Sequence, residues 1–510
     1  MKTFFLGLVI LLVGGLLYGG LCQRVFGPDD RATPAVRNND GVDFVPLKGW
    51  KNSLVNLLNI AGTGPILGPI QGILFGPIAF LAIPIGCVIG GAMHDYFNGM
   101  ICLRGGGLQM PQVVRRFTNR GLYGLYTVFV GLLLLLLGVV FTYTPGDIAA
   151  TQLFGLSGAA TAPSTWVIYG VIFAYFTLAA LLPIDKIIGR IYPFFGALLI
   201  LSSVGIFLAL CCKGYAMTEV WSAWTLNGFD FRAYFTQGHF LPTFFITVAC
   251  GILSGFHSTQ TSLVARTVTR EGQGRMVFYN MMIAEGFIAM VWAAGTMAMI
   301  GLGAERAGVT MGFADGGWQY FAQLDGALTA ISPTSVVGII CKSALGPAGG
   351  LIAVLGVILL PITSGDTALR SLRLIFAEVL HISQEKPRNR LLLSLPIFAG
   401  VIVILIYAKV SPTGFNTLWR YFGWANQTIA VFSLACILIW MLRSGRGRFA
   451  WMSAFPLAFY AFVVASYILS APIGFRLPWT AAYIGGGVFA AAVRAFCLHQ
   501  GKRGPREPEL

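Results

Sequence analysis

The stretch NLLNIAGTGPILGPIQGILFG, residues 56–76, is apolar enough to enter a membrane but holds helix-breaking residues at its centre. These residues are Gly62, Gly64, Pro65, Gly68 and Pro69. A continuous helix would be strongly destabilised by such a run. Pro65 suits the first turn of a new half-helix, and Thr63 is placed to cap its free N–H groups. We therefore predict a helix that is interrupted midway through the membrane.

A second stretch, FITVACGILSGFHSTQTSLVARTV at 245–268, predicts a second interrupted helix. Polar and small residues replace hydrocarbon near its middle, namely Ser254, Gly255, His257, Ser258, Thr259, Gln260 and Thr261. The alternative is that glycine and proline only kink membrane helices for packing.

Composition indicates that the rest of the chain is also membrane-embedded. Of its 510 residues, 56% are hydrophobic and 10% are charged. Continuously apolar runs of about 20 residues recur, each long enough to cross a bilayer as a helix, whereas a β-barrel would need alternating polarity. Thirteen spans are predicted, near 3–21, 52–77, 78–103, 121–143, 164–184, 191–212, 240–265, 277–301, 349–376, 391–409, 417–441, 449–470 and 478–498.

The basic residues give this arrangement an orientation. With thirteen spans, 26 of the 34 Lys and Arg residues fall on one face, which is cytoplasmic under the positive-inside rule. The N-terminus is then outside and the C-terminus inside. The net charge of +15 is explained by topology, so nucleic acid is not an expected partner.

The two breaks lie in matching positions of two five-helix halves, 52–213 and 214–441. Inverted repeats with unwound first and sixth helices are the pattern of leucine-transporter-like secondary transporters. Residues 1–51 would add an N-terminal helix and a cytoplasmic loop, and 442–510 two accessory helices and a short tail. The weaker stretch 327–345 is predicted to be a re-entrant or extracellular surface helix.

Three carboxylates within spans are candidates for ion or proton coupling: Asp95, Glu285 and Asp366. A buried carboxylate is costly unless it is paired, protonated or bound to a cation. Asp366 follows the hydroxyls of Thr363 and Ser364, which we predict to hold a coupling cation near the first break. The alternative is an ion pair between Asp366 and Arg370, one helical turn away.

Other polar residues are candidates for substrate binding. His257 could meet an anionic substrate or satisfy loosened backbone carbonyls, and Asn426 and Gln427 could line a cavity or link helices. The predicted binding residues are Gly62, Thr63, Gly64, Ser254, Gly255, His257, Asn426 and Gln427. The histidines are scattered along the chain and the cysteines form no paired motif, so we predict no metal site, no cofactor and no catalytic residues.

Several of these segments resemble the carbon starvation protein A (CstA) family. They are TPAVRNNDGVDFVP (33–46), NIAGTGPILGPI (59–70), GGAMHDYF (90–97), FITVACGILSGFH (245–257), SGDTALRSLRL (364–374) and LWRYFGWANQTIA (418–430). The resemblance implies a carrier of the bacterial inner membrane, related to the amino acid/polyamine/cation superfamily and useful when carbon is scarce. Members take up peptides, and some take up pyruvate with protons. It also implies that the Gly62–Pro65 and Ser254–His257 breaks, Asp366 and the Ala425–Gln427 segment form the working centre, although this chain has fewer helices and a shorter tail than long members.

The sequence thus predicts a symporter that binds a small-molecule substrate between the two breaks and is driven by H⁺ or Na⁺. An ion channel or passive pore is the alternative. The sequence leaves open whether the substrate is a peptide, pyruvate or an amino acid, and it leaves the oligomeric state open.

Overall fold

The computed structural model describes residues 1–41, 43–181, 184–307, 309–314, 317–324, 327–411 and 414–503. Its first part is helical apart from short connections. The helices there are α1 (Lys2–Phe26), α2 (Gly49–Ile60), α3 (Gly64–Gly72), α4 (Ala79–Arg104), α5 (Met110–Phe117), α6 (Arg120–Leu153), α7 (Pro163–Leu181) and α8 (Ile184–Lys213).

The second part contains longer helices and two small sheets. The helices are α9 (Phe231–Gln237), α10 (Phe240–Thr247), α11 (Gly255–Val264), α12 (Glu271–Gly303), α13 (Pro333–Val379), α14 (Pro387–Val410), α15 (Gly414–Arg443), α16 (Trp451–Ser470) and α17 (Trp479–Arg503). The strands are β1 (Thr225–Leu226), β2 (Phe229–Asp230), β3 (Val309–Ala314), β4 (Gly317–Leu324) and β5 (Ala327–Ile331).

Within the described residues, 10 helices are long and apolar enough to cross a membrane, or 11 if α2 and α3 are one bent span. The two further predicted spans coincide with α7, of 19 residues, and with the pair of short helices α10 and α11. A multi-pass helical membrane protein is therefore confirmed. The count of thirteen spans stays a prediction.

The predicted helix over 327–345 is wrong in its first part. Residues 327–331 form strand β5, which pairs antiparallel with β4, and β4 pairs with β3. Helix α13 begins only at Pro333, because Ser332 caps it by accepting a hydrogen bond from the Ser335 N–H. The helix then continues to Val379, with one non-helical residue at Gly346 (φ 72°).

The first interruption lies between α2 and α3, whose axes differ in direction by 48°. Pro65 occupies the first turn of α3, as predicted. Thr63 is the residue that precedes this turn, but its side chain makes no capping hydrogen bond, contrary to the predicted role. Its backbone carbonyl accepts instead from the N–H groups of Ile66 and Leu67, at 3.2 and 2.9 Å.

The second interruption lies between α10 and α11. The chain leaves helical geometry at Val248, passes through Gly251 with φ 92°, and is extended at Ser254. Only glycine adopts this φ without strain, so Gly251 allows the turn. The structure therefore has a second break, but it covers residues 248–254. Of the polar residues that predicted it, Ser254 lies in the break, whereas residues 255–261 are helical in α11.

Helix α11 is surrounded by α2, α4 and α15. Gly255, its first residue, allows backbone-to-backbone contact with α15. A Cβ at this position would collide with the Asn426 carbonyl oxygen and lie 2.5 Å from the Ala430 nitrogen. Because Gly255 has no side chain, the second break can pack directly against the backbone of α15.

We expect Gly255→Ala to destabilise the protein by about 1–3 kcal/mol, because the two backbones must separate. The measurement is the thermal unfolding midpoint of the purified protein in detergent. Gly487→Ala is the matched control, since a Cβ at Gly487 in α17 would meet open space. Equal midpoints for the two variants would contradict the packing described.

Candidate functional site

The two interrupted helices touch at their breaks. A Cβ on Gly64 would collide with the side chain of Cys250, so the start of α3 lies directly against the α10–α11 linker. A small cavity, with an accessible volume of about 10 Å³, opens beside this contact. Its lining comes from α3, α10, the linker and α15, through Gly64, Ile246, Thr247, Ala249, Cys250, Trp419, Phe422 and Gly423.

Beside the first break, α13 contributes a hydroxyl to the end of α2. The Ser364 hydroxyl donates a hydrogen bond of 2.8 Å to the carbonyl of Leu58. A Cβ on Gly62 would lie 3.4 Å from the same Ser364 oxygen. Thr363 donates to the Leu360 carbonyl of its own helix at 2.7 Å. Ser364 therefore lies where α2 ends, as the predicted cation position requires.

Two buried polar side chains at this break have no hydrogen-bond partner among the described residues: the amide of Asn59 and the hydroxyl of Thr63. Buried polar groups are normally paired, so such atoms suit a bound ligand. Thr63 was predicted from the sequence, whereas Asn59 was missed. Its signal is an amide within an apolar helix, one turn before the break.

Asp366 lies on the same helix as Ser364 and is 3% exposed. Its Oδ2 accepts a long hydrogen bond of 3.4 Å from the Tyr175 hydroxyl of α7, and its Oδ1 has no hydrogen-bond partner among the described residues. Arg370 donates to the Ala179 carbonyl at 2.8 Å. The alternative of an Asp366–Arg370 ion pair does not occur among the ion pairs of the described residues.

A second polar cluster surrounds His257 of α11 and joins two of the predicted carboxylates. His257 Nδ1 lies 2.9 Å from Asp95 Oδ2 of α4, and Nε2 lies 3.4 Å from Glu285 Oε2 of α12. All three side chains have no solvent exposure. His257 thus contacts two carboxylates rather than loosened backbone carbonyls, and its predicted contact with an anionic substrate stays a prediction.

His94 extends this cluster, which we call the His257 cluster. Its Nδ1 lies 2.8 Å from Asp95 Oδ1, and its Nε2 lies 2.7 Å from the Ser433 hydroxyl of α15. Two of the histidines that are scattered in sequence, His94 and His257, therefore meet at Asp95 in the fold. A charged group in an apolar interior needs such partners, because no water replaces them.

Asn426 and Gln427 of α15 bind the backbone of the second break. The Asn426 side-chain oxygen accepts from the Phe256 N–H at 2.7 Å, which caps α11 in place of Ser254. The Gln427 amide donates to the carbonyls of Phe245 and Leu253, at 3.0 and 2.8 Å. Of the two alternatives for these amides, the observed contacts are interhelical hydrogen bonds.

A wider cleft lies at the end of the molecule where α11 and α13 terminate. Its accessible volume is about 480 Å³. It is lined by Gln109, Arg266, Leu374, Ala377, Glu378, His381, Ile382, Ser383 and Gln384. The small cavity and this cleft lie at opposite ends of α11, since one touches Cys250 before the helix and the other touches Arg266 after it.

The sequence model of the family described as carbon starvation protein CstA matches residues 1–144, 118–304 and 333–467. The chain belongs to the CstA family. Among its relatives, an uncharacterized membrane protein of Haemophilus influenzae is 41% identical over 343 residues, which is 59% of this chain and 91% of that protein. The peptide transporter CstA of Escherichia coli is 27% identical over 554 residues, covering 88% of this chain and 78% of that protein.

Solved structures of transporters share the fold of this CstA-family chain. A manganese transporter of Eremococcus coleocola aligns with a TM-score of 0.58 at 12% identity, covering 91% of this chain and 99% of the other. MhsT, solved in complex with L-phenylalanine, aligns with a TM-score of 0.53 at 11% identity, covering 89% and 99%. At such identities the likeness concerns the fold alone.

We expect Asn426→Ala to lower the unfolding free energy by about 1–3 kcal/mol, because the Phe256 N–H is left buried without a partner. Thr428→Val on the same helix is the control, since the Thr428 hydroxyl donates within its own helix, to the Trp424 carbonyl. Thermal unfolding in detergent measures both variants. A loss confined to Thr428→Val would refute the capping role of Asn426.

Proposed function

We propose that this CstA-family protein is a secondary active transporter, a symporter that imports peptides or pyruvate-like carboxylates. The observation that carries the proposal is the contact between the two helix breaks, at Gly64 and Cys250. Unwound segments that meet inside a bundle expose backbone groups and helix ends to a ligand without opening a continuous pore. The family and the named peptide transporters among the relatives support transport.

The architecture we propose is the 5+5 inverted repeat, with 52–213 and 214–441 as its halves. Each half begins close to its interrupted helix, α2–α3 in the first and α10–α11 in the second. Helix α1 would precede this core, and α16 and α17 would follow it. The substrate would lie at the junction of the breaks, near Gly62, Thr63, Gly64, Ser254 and Gly255. His257, Asn426 and Gln427 would support it from behind the second break.

We place ion coupling at the first break. Ser364 binds the end of α2, and Asp366 is a buried carboxylate with one oxygen that has no hydrogen-bond partner in the part of the chain that the structure describes. A proton on Asp366, or a sodium ion near Thr363 and Ser364, would then be bound within reach of the substrate. Asp95 and Glu285, the other predicted coupling carboxylates, face His257 instead.

Uptake into proteoliposomes tests this function. We expect concentrative uptake of pyruvate or of a small dipeptide under an inward H⁺ or Na⁺ gradient. Asp366→Asn should reduce accumulation to equilibrium while exchange of internal for external substrate continues, because only coupling is lost. If Na⁺ drives uptake, Ser364→Ala should raise the Na⁺ concentration for half-maximal rate.

The control for charge removal is Asp30→Asn, an exposed residue in the connection after α1. It should leave accumulation unchanged. Uptake by the unmodified protein that never exceeds equilibrium under either gradient would instead show a channel or passive pore. Full accumulation of substrate by Asp366→Asn would show that Asp366 does not couple ion movement to transport.

We further propose that the protein lies in the bacterial inner membrane with its N-terminus outside and its C-terminus in the cytoplasm. In this orientation Cys211 and Cys212, both exposed near the end of α8, face the outside. A membrane-impermeant maleimide should label them in intact spheroplasts. A cysteine at the exposed Ser383, introduced as Ser383→Cys between α13 and α14, should react only after permeabilisation. The reverse pattern would invert the topology.

A further inference from the structure

Three side chains with metal-binding atoms converge beside the second break. They are Cys250 in the α10–α11 linker, His257 on α11 and Glu285 on α12. One sulfur, one nitrogen and one oxygen atom, contributed by these residues, all lie within 4.8 Å of one another. Each residue is buried, so the convergence is a property of the packed interior and not of a flexible surface.

The atoms that point into this space have no hydrogen-bond partners among the described residues. The atoms without a partner are His257 Nε2 and both carboxylate oxygens of Glu285. Nε2 lies 3.4 Å from Glu285 Oε2. Cys250 Sγ makes a weak contact, of 3.6 Å, with the Ser254 hydroxyl. Buried polar atoms are normally paired, and here a single cation would pair all of them.

The ring of His257 is held in a position that suits a metal ligand. Its other nitrogen, Nδ1, lies 2.9 Å from Asp95, and Asp95 is held in turn by His94 at 2.8 Å. A histidine that binds a metal through one nitrogen almost always donates its other N–H to a carboxylate or carbonyl, which fixes the ring orientation. Asp95 occupies that supporting position.

We propose that Cys250, His257 and Glu285 bind a divalent transition-metal ion, with Zn²⁺ the best match. A sulfur, a nitrogen and a carboxylate oxygen form a ligand set that suits zinc, whereas Mg²⁺ and Ca²⁺ prefer oxygen ligands alone. The negative charges of a thiolate and a carboxylate balance the charge of the ion. Three protein ligands leave a fourth position for a water or a transported molecule.

This site has an access route and a structural consequence. Cys250 lines the small cavity beside Gly64, so one ligand is reached from the junction of the breaks. The metal would tie the non-helical linker to α12 and hold the geometry of the second break. Glu285 and Asp95 would then serve the metal, and ion coupling falls to Asp366.

Metal analysis of the full-length protein tests the proposal directly. After loading with Zn²⁺ and removal of free metal, inductively coupled plasma mass spectrometry should find about one zinc per chain. Cys250→Ser should lose most of this zinc. Cys436→Ser is the matched control, because Cys436 is equally buried on α15 but lies outside the cluster, and it should retain the metal.

Cobalt substitution gives a second readout that does not depend on transport. Co²⁺ bound to the unmodified protein should show the near-ultraviolet charge-transfer band of a thiolate ligand, absent in Cys250→Ser. Asp95→Asn keeps all three ligands but removes the charge behind His257, so metal affinity should fall roughly tenfold to a hundredfold. Size-exclusion elution shows whether each variant is folded, and Asp95→Asn remains informative if Cys250→Ser is not.

The proposal is overturned if the loaded protein holds no zinc, or if Cys250→Ser binds as much metal and gives the same cobalt spectrum. The His257 cluster would then be a hydrogen-bonded network without a metal. Since metal content is measured on purified protein, either result leaves the proposed transport function separately testable.

Discussion

Hydrogen bonds from side chains to the backbone of the two breaks are what the rest of the structure depends on. Inside a bilayer no water satisfies an unwound N–H or carbonyl, so irregular backbone is tolerated only where protein groups replace water. Asn426 and Gln427 do this for the second break, and Ser364 does it for the end of α2. Without the side chains that α15 and α13 supply, neither interruption could be stable inside the membrane.

The contact between the breaks depends on small residues. Gly64 lies against Cys250, and Gly255 lies against the backbone of α15, at positions where a side chain would not fit. The contact between the breaks brings together two sets of polar groups that differ in chemistry. The first break carries hydroxyl and amide groups, whereas the second carries histidines and carboxylates. We infer that the two breaks have different roles. The first binds substrate and ion, whereas a metal ion stabilises the second.

The sequence predicted those features that follow from local chemistry. Gly62 and Pro65 disfavour a continuous helix, so the first break was predictable. The second break was predicted a few residues too late, because the polar residues 255–261 are helical within α11 and the irregular stretch, 248–254, precedes them. Sheet β3–β5 was missed although its signal is local, since the dipeptide Asp-Gly, which is typical of hairpin sequences, occurs at 315–316 and 325–326 between the consecutive strands. The role of Thr63 as a cap was wrong, because its side chain makes no capping hydrogen bond. At the second break the cap comes from Asn426 of another helix and not from the adjacent Ser254.

The His257 cluster could not be predicted from the sequence, because it joins segments that are distant from one another along the chain. Asp95, His257 and Glu285 lie on three helices, and no spacing rule brings α4, α11 and α12 to one point. Adjacent His94 and Asp95 diverge by about 100° at the backbone, yet their side chains curve back to 2.8 Å. Only the fold reveals that contact.

The central claim is that a transported molecule binds where the breaks meet, and chemical protection tests it most directly. Thr247→Cys places a thiol in the cavity beside Gly64, and mass spectrometry can follow its alkylation separately from that of exposed Cys211. We predict that pyruvate or a dipeptide, whichever is transported, slows alkylation at Thr247→Cys in proportion to its occupancy and leaves Cys211 unaffected. A transported molecule that leaves the rate at Thr247→Cys unchanged at saturation would contradict this account.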